Sequence, residues 1–189
     1  MDIIIITGLS GAGKSQAIAC LEDQGFYCID NIPPALMKSF VKLSISGGSN
    51  IDKAAFVVDV RGADFKMDIK TGLEELEALG VRIKIIFLEA SDEVLVRRFN
   101  ETRRKHPVTG NSPTIEDIAE EKNTLSSIRD IADFIIDTSN MKTAVLKAEL
   151  INLLNEEGRE ETFVINIMSF GFKNGIPISA DMEIGRAHV

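Results

Sequence analysis

Residues 8–15 form the segment of this sequence whose chemistry is easiest to state. They match the pattern G-x-x-x-x-G-K-[ST] at every fixed position, and they are Gly8, Leu9, Ser10, Gly11, Ala12, Gly13, Lys14 and Ser15. The backbone N–H groups of such a loop wrap a polyphosphate, and the positive end of the following helix faces it. We expect Lys14 to reach the β and γ phosphates and the Ser15 hydroxyl to ligate Mg²⁺. The alternative is a glycine-rich turn that only joins a strand to a helix. The apolar run before the loop and the helical pattern after it favour a site for a nucleoside triphosphate.

An acidic residue at the end of a neighbouring apolar strand is the second element expected of such a site. The apolar run 54–58 is followed by Asp59, which we predict to hold Mg²⁺ together with Ser15 and to act in catalysis together with Lys14. An Asp59 that caps the next helix is the alternative. Ligands bind at this edge of the sheet in open α/β folds, so the nucleotide site is extended to Val60, Arg61 and Gly62.

Asp30 is a further carboxylate at the end of an apolar run, residues 26–29. It could act as a base toward an acceptor hydroxyl, which would make the protein a P-loop small-molecule kinase. It could equally be the N-cap of a helix that carries a proline in its first turn, since Pro33 and Pro34 follow. The sequence leaves both interpretations open.

Basic residues cluster once in the chain, on a helix that is predicted to start near Asp92. Its members are Arg97, Arg98, Arg103, Arg104 and Lys105. Arg97 pairs with Arg104, and Arg98 with Lys105, at seven-residue spacing, which gives one basic helix face. Such arginines could close over phosphates and neutralise developing charge. A solvated helix face is the alternative.

The sequence carries no N-K-x-D guanine signature, which argues against a Ras-like GTPase without deciding between ATP and GTP. Residues 137–140 follow the fifth predicted strand, where a base could sit in this topology. Thr138 and Ser139 are therefore hypothetical determinants of the ATP or GTP preference.

Composition narrows the class of protein. The 189 residues carry a net charge of −8, which argues against a general nucleic-acid coat because such binding relies on Lys and Arg. The early apolar run, residues 3–6, is too short for a signal peptide or a membrane span, so a cytoplasmic protein without a membrane partner is expected. Cys20 and Cys28 form neither a disulfide framework nor a metal motif, and packing is the expected role of both.

Six short runs rich in β-branched and aromatic residues are predicted strands: 3–7, 26–29, 54–59, 83–88, 134–137 and 163–168. Helical patterns separate most of them, and Gly25 and Gly80 mark two helix ends. Thr114 followed by Asp117 marks a helix start. This alternation predicts an α/β fold with an open, mostly parallel sheet flanked by helices. The acidic segment 155–161 is the expected junction to a second domain.

Five ordered motifs together resemble the RapZ/YvcJ nucleotide-binding proteins, also called RNase adapter proteins. The motifs are GLSGAGKS, LEDQGFYCIDNIPP, DVRG, RRFNETRRKHP and SFGFKNGIP. The resemblance spans residues 1 to about 181, and the motifs are far more specific as a set than the phosphate loop alone.

The resemblance implies a cytosolic bacterial ATPase and GTPase. It implies a three-layer, kinase-like P-loop NTPase fold over residues 1–155 and the beginning of a C-terminal domain over 156–189. It implies ATP at residues 8–15 and GTP at Asp59, Val60, Arg61 and Gly62. In some family members the C-terminal domain binds a small RNA and directs its cleavage by an RNase. After Asp181 the sequence departs from the family pattern, and we expect a truncated end. RNA or protein partners are therefore expected only of a full-length protein, and a homo-oligomer stays open because the strand at 163–168 would need a sheet to join.

Overall fold

The computed structural model describes residues 1–46, 51–58, 65–102 and 114–155, and within these ranges strands alternate with helices. The strands are β1 (Asp2–Gly8), β2 (Tyr27–Ile29), β3 (Lys53–Val57), β4 (Arg82–Glu89) and β5 (Phe134–Asp137). The helices are α1 (Lys14–Asp23), α2 (Pro34–Ser46), α3 (Phe65–Glu77), α4 (Asp92–Thr102), α5 (Ile115–Arg129) and α6 (Thr143–Asn155). Residues 1–155 form one compact unit.

The strands form one parallel sheet with the order β2-β3-β1-β4-β5. The central strand β1 is nearly inaccessible to solvent, since Ile3, Ile4, Ile5 and Ile6 are each at most 2% exposed. A continuously apolar strand suits this position because helices cover both faces of a parallel sheet. The chain moves to one side of β1 for β2 and β3 and to the other side for β4 and β5. Ligands bind in such folds at this reversal, at the carboxyl ends of the strands.

Helices flank the sheet and complete the three layers. Helix α1 packs against α6, while α3 packs against both α2 and α5. Phe56 on β3 and Phe87 on β4 are among the largest fully buried side chains of the core. None of the helices in the described ranges is both long and apolar enough to cross a lipid bilayer.

The described elements confirm five of the six predicted strands, with shifts of up to two residues at their ends. Gly25 (φ 81°) follows α1 closely, and Gly80 (φ 72°) follows α3. The predicted start of α5 is also confirmed, because Thr114 and Asp117 form a reciprocal capping box. The sixth predicted strand, residues 163–168, lies outside the described residues. The predicted junction at 155–161 also lies outside them, apart from Asn155, which ends α6.

Candidate functional site

The glycine-rich loop leaves β1 in close backbone contact with β4. Gly8 has φ of +131°, and a Cβ atom built on it would lie 2.0 Å from the carbonyl oxygen of Leu88. The next N–H group, that of Leu9, donates to the same carbonyl at 3.0 Å. Only glycine fits this combination of positive φ and close approach. The first position of the motif is therefore required by packing as well as by any ligand.

The middle of the loop turns through two more glycines with positive φ, Gly11 at 83° and Gly13 at 109°. Helix α1 begins directly after Gly13, and no side chain caps its N-terminus. Its first turn also contains no acidic residue. No side chain therefore takes the place of an external acceptor at this end of the helix, and the helix dipole favours an anion there.

Lys14 holds its ammonium group over the same loop. Its Nζ donates to the carbonyl oxygens of Gly8 at 2.7 Å and Leu9 at 3.1 Å. This arrangement places a positive charge beside the loop at the end of β1. An anion bound at the N-terminus of α1 would lie between the helix dipole and this charge.

The predicted metal ligand Ser15 is exposed in the first turn of α1, next to Lys14. Its hydroxyl oxygen suits Mg²⁺, which takes oxygen ligands and usually combines one or two protein groups with substrate phosphates and water. The second predicted ligand, Asp59, lies outside the described residues, together with Val60, Arg61 and Gly62. The chain just before them runs beside β1, because the N–H of Val58 donates to the carbonyl oxygen of Ile6 at 3.0 Å.

A buried carboxylate contacts the loop from α5, and sequence reasoning missed it. Glu121 Oε1 accepts hydrogen bonds from the N–H of Ser10 at 3.0 Å and from its Oγ at 2.7 Å. Ser10 is 7% exposed and Glu121 8% exposed. Helical spacing from Ile118 and Leu125 places Glu121 on the buried face of α5, and this spacing is the signal that could have identified it.

Arg98 on α4 connects the loop to the segment after β5. Its guanidinium donates to the carbonyl oxygen of Gly11 at 3.1 Å, and to Oγ1 and the carbonyl oxygen of Thr138 at 3.0 and 2.7 Å. The Thr138 hydroxyl in turn donates to the carbonyl oxygen of Ala12 at 2.9 Å. Leu95 and Phe99, one turn apart on α4, lie beside Gly11. Helix α4 is thereby fixed against the phosphate loop.

These contacts separate two neighbouring arginines that the sequence grouped together. The interpretation as a solvated helix face is wrong for Arg98, which donates to the loop. Arg97 is exposed, and its Nε lies 3.9 Å from Oε1 of Glu101 in an i,i+4 ion pair. The other members of the basic cluster, Arg103, Arg104 and Lys105, lie outside the described residues.

The segment after β5 shows how the two hypothetical base determinants are used. Thr138 is 2% exposed, and its hydroxyl already donates a hydrogen bond to the carbonyl oxygen of Ala12 in the loop. Ser139 donates to the Asp137 carboxylate through both its N–H and its hydroxyl. These hydrogen bonds lower the pKa of Asp137. A nucleobase bound here would contact Ser139 and the backbone, because the Thr138 side chain is buried.

Asp30 is exposed in the turn between β2 and α2. Because α2 begins at Pro34, four residues later, the interpretation of Asp30 as the N-cap of this helix is wrong. Its interpretation as a base toward an acceptor stays a prediction.

A cavity of about 400 Å³ lies beside the loop, between the ends of β4 and β5 and helix α5. Its lining combines Leu9 and Phe87 with charged groups, notably Glu89, Lys122 and Asp137. Arg129 also lines the cavity and forms a two-pronged ion pair with Glu89, at 2.7 and 3.0 Å. The volume of this cavity is within the range of pockets that bind small molecules.

The two cysteines are placed as the sequence analysis expected. Burial raises the pKa of the Cys20 thiol, and it raises that of Cys28 to about 11. A thiol with a raised pKa is protonated at neutral pH and is a poor nucleophile. Both side chains pack between neighbouring elements, with the Cys20 Sγ 3.8 Å from the carbonyl oxygen of Lys147.

The parallel sheet, its flanking helices and the glycine-rich loop after the central strand define a kinase-like P-loop α/β fold. Two solved structures share it at low sequence identity. Shikimate kinase from Acinetobacter baumannii in complex with shikimate aligns with a TM-score of 0.55 and 15% identity, over 85% of this chain and 96% of that chain. The YorR protein from Bacillus subtilis in complex with phosphorylated GDP aligns with a TM-score of 0.55 and 19% identity, over 82% and 96%. The predicted fold class is confirmed.

Residues 1–158 match the RapZ-like N-terminal domain, and the chain belongs to this family. A nucleotide-binding protein of Syntrophomonas wolfei subsp. wolfei is 52% identical over 184 residues, which cover 97% of this chain and 62% of that protein. A nucleotide-binding protein of Caldanaerobacter subterraneus subsp. tengcongensis is 48% identical over 182 residues, which cover 96% and 64%. The chain thus spans less than two thirds of the length of these relatives. The resemblance inferred from the five motifs is confirmed.

Proposed function

We propose that residues 1–155 are a nucleotide-binding domain that binds ATP and GTP with Mg²⁺ and hydrolyses them slowly. The observation that carries the proposal is the uncapped N-terminus of α1 beside the Lys14 ammonium, behind a loop whose three glycines have positive φ. Backbone N–H groups and one lysine are the groups that bind a polyphosphate. The names of the similar nucleotide-binding proteins and the phosphorylated GDP in the YorR structure support the same ligand class.

In the proposed reaction, water attacks the γ phosphorus, the bond to the β,γ-bridging oxygen breaks, and a diphosphate and inorganic phosphate leave. Lys14 neutralises charge that develops on the phosphate oxygens. Ser15 and Asp59 would hold Mg²⁺, which when bound shields the phosphate charges. Asp59, Val60, Arg61 and Gly62 would complete the nucleotide site. We expect slow turnover, because Glu121, the buried carboxylate beside the loop, is already engaged with Ser10.

The test is titration calorimetry with ATP, GTP and their diphosphates in the presence of Mg²⁺, combined with a phosphate-release assay. We expect Lys14→Ala to weaken triphosphate binding and to lower the hydrolysis rate by about 100-fold, the order found when a charge-stabilising donor is removed. Lys42→Ala is the matched control. Lys42 is exposed on α2, so its substitution removes the same charge at a site away from the loop. Unchanged affinity and hydrolysis in Lys14→Ala would refute the mechanism.

A small-molecule kinase is the second candidate, and the cavity beside Leu9 favours it. A pocket of about 400 Å³ with both positive and negative groups next to a phosphate loop could hold an acceptor for the phosphoryl group. Asp30 follows β2, at the opposite edge of the sheet from this cavity, so it would be the base only for an acceptor bound on its own side of the loop. The protein should be incubated with ATP and candidate metabolites. Transfer of phosphate to an acceptor faster than to water would establish the kinase, and release to water alone would favour the hydrolase.

For the full-length protein we propose a cytoplasmic, nucleotide-responsive adapter with RNA or protein partners, in which residues 156–189 begin a second domain. Nucleotide binding would shift the protein between states with different partner affinities. A pull-down with and without ATP, using a protein of the relatives' full length beside this chain, separates this role from an autonomous enzyme. The same samples, analysed by light scattering, report whether a homo-oligomer forms.

A further inference from the structure

The Glu121 carboxylate is held against the phosphate loop through two hydrogen bonds to one residue. The N–H of Ser10 lies 3.0 Å and its Oγ 2.7 Å from the same oxygen, Glu121 Oε1. Glu121 is 8% exposed, and among the side chains that the structure describes it is the one charged group that is buried. Burial of a carboxylate is costly, so a negative charge placed here calls for a reason beyond the packing of α5.

The loop has two ends with respect to a bound nucleotide, and Ser10 lies at the terminal-phosphate end. In this motif the lysine reaches the β and γ phosphates, so its ammonium marks that end. Here Lys14 Nζ contacts the carbonyl oxygens of Gly8 and Leu9, the two residues directly before Ser10. Glu121 therefore approaches the loop beside the position that a γ phosphate would take.

A carboxylate and a γ phosphate at this position compete in two ways. Both are acceptors for the same Ser10 N–H group, and both are negatively charged in a partly buried site where screening is weak. A diphosphate lacks the γ group and avoids this repulsion. The repulsion therefore weakens the binding of triphosphates and leaves the binding of diphosphates largely unaffected.

We propose that Glu121 is a specificity-determining residue that lowers the affinity of the loop for nucleoside triphosphates relative to diphosphates. The inference rests on the proposed nucleotide binding at residues 8–15 and adds a determinant that the motif does not contain. Because α5 carries Glu121, a triphosphate must displace this helix or its side chain in order to use the Ser10 N–H group.

The experiment is Glu121→Gln, measured by titration calorimetry with a non-hydrolysable ATP analogue and with ADP, both with Mg²⁺. The glutamine keeps the shape of the side chain and a carbonyl oxygen for the Ser10 donors, and it removes the charge by replacing the second oxygen with a neutral NH2 group. Glu120→Gln is the matched control, since it makes the same charge change at the adjacent, exposed residue.

We expect Glu121→Gln to tighten binding of the ATP analogue relative to ADP by about tenfold or more, which corresponds to about 1.4 kcal/mol. The ADP affinity should stay within about twofold, and Glu120→Gln should change neither. If Glu121→Gln does not fold, Glu121→Asp retracts the charge by one methylene and should give a smaller shift in the same direction.

A folded Glu121→Gln protein with an unchanged ratio, an equal gain for both nucleotides, or a selective loss of the ATP analogue would overturn the inference. A purely structural role for Glu121 predicts the first of these results, because the isosteric variant keeps the hydrogen bonds. Binding by the wild type with no change in ratio refutes this inference alone. Absence of all nucleotide binding by the wild type refutes the proposed function and this inference with it.

Discussion

Substitution of Gly8 by alanine tests whether the start of the phosphate loop depends on its close contact with β4. Two costs add at this position. A non-glycine residue at φ of +131° is strained by about 1–3 kcal/mol. The new Cβ would also lie 2.0 Å from the carbonyl oxygen and 2.6 Å from the backbone nitrogen of Leu88, and relief of this overlap requires β1 and β4 to move apart. Overpacking of this kind costs about 1–3 kcal/mol, so we expect a loss of about 4 kcal/mol in the free energy of unfolding.

Gly25→Ala is the control that separates strain from steric overlap. Gly25 also has positive φ, at +81°, but no heavy atom lies within 4 Å of its hypothetical Cβ. We expect it to lose only about 1 kcal/mol, the conformational cost alone. Urea unfolding of the two variants and the wild type measures both values. In thermal unfolding the difference of about 3 kcal/mol corresponds to about 6–12 °C for a chain of this size. Equal losses for Gly8→Ala and Gly25→Ala would refute the argument from the Leu88 contact.

Two further predictions concern single hydrogen bonds outside the loop. Thr114→Ala removes the hydrogen bond that the Asp117 N–H donates to the Thr114 hydroxyl, one half of the capping box, and should lower the free energy of unfolding by about 1 kcal/mol, measured in urea. Ser127→Ala, at an exposed position inside the same helix, should cost less, and a loss as large as that of Thr114→Ala would contradict the capping argument. Ser139→Ala removes the hydroxyl that contributes most to the lowered pKa of Asp137, so that pKa should rise in an NMR titration of the carboxyl carbon. The lowered pKa of Asp137 stabilises the folded protein at every pH above the unfolded value of about 3.9. This stabilisation is lost as the pH falls from the unfolded pKa through the lower folded pKa, so the wild type should lose more stability than the variant over that interval. An unchanged Asp137 pKa in Ser139→Ala would contradict the assignment.

Local chemistry made much of the fold predictable. The strands are short apolar runs bounded by turn residues, and continuous burial of β1 follows from its four consecutive isoleucines. Gly25 and Thr114 mark helix ends because left-handed backbone favours glycine and a threonine oxygen can accept from an unpaired N–H group of the first turn. Each of these signals depends on residues only a few positions apart, so it can be recognised in a single sequence.

The sequence by itself therefore determined the phosphate loop, its lysine and serine, and the alternation of strands and helices. Only the tertiary structure decided what touches the loop. Ser10 and Glu121 are 111 positions apart and Arg98 and Thr138 are 40 positions apart, and both pairs meet because α4 and α5 pack at the carboxyl ends of the strands. A helix rotates its side chains by about 100° per residue, so Arg98 points to the loop while Arg97 points to solvent. That rotation relative to the sheet is set by the apolar residues that each helix buries. It places the Glu121 carboxylate of α5 and the Arg98 guanidinium of α4 against a loop whose own sequence predicts a phosphate site but neither of these partners.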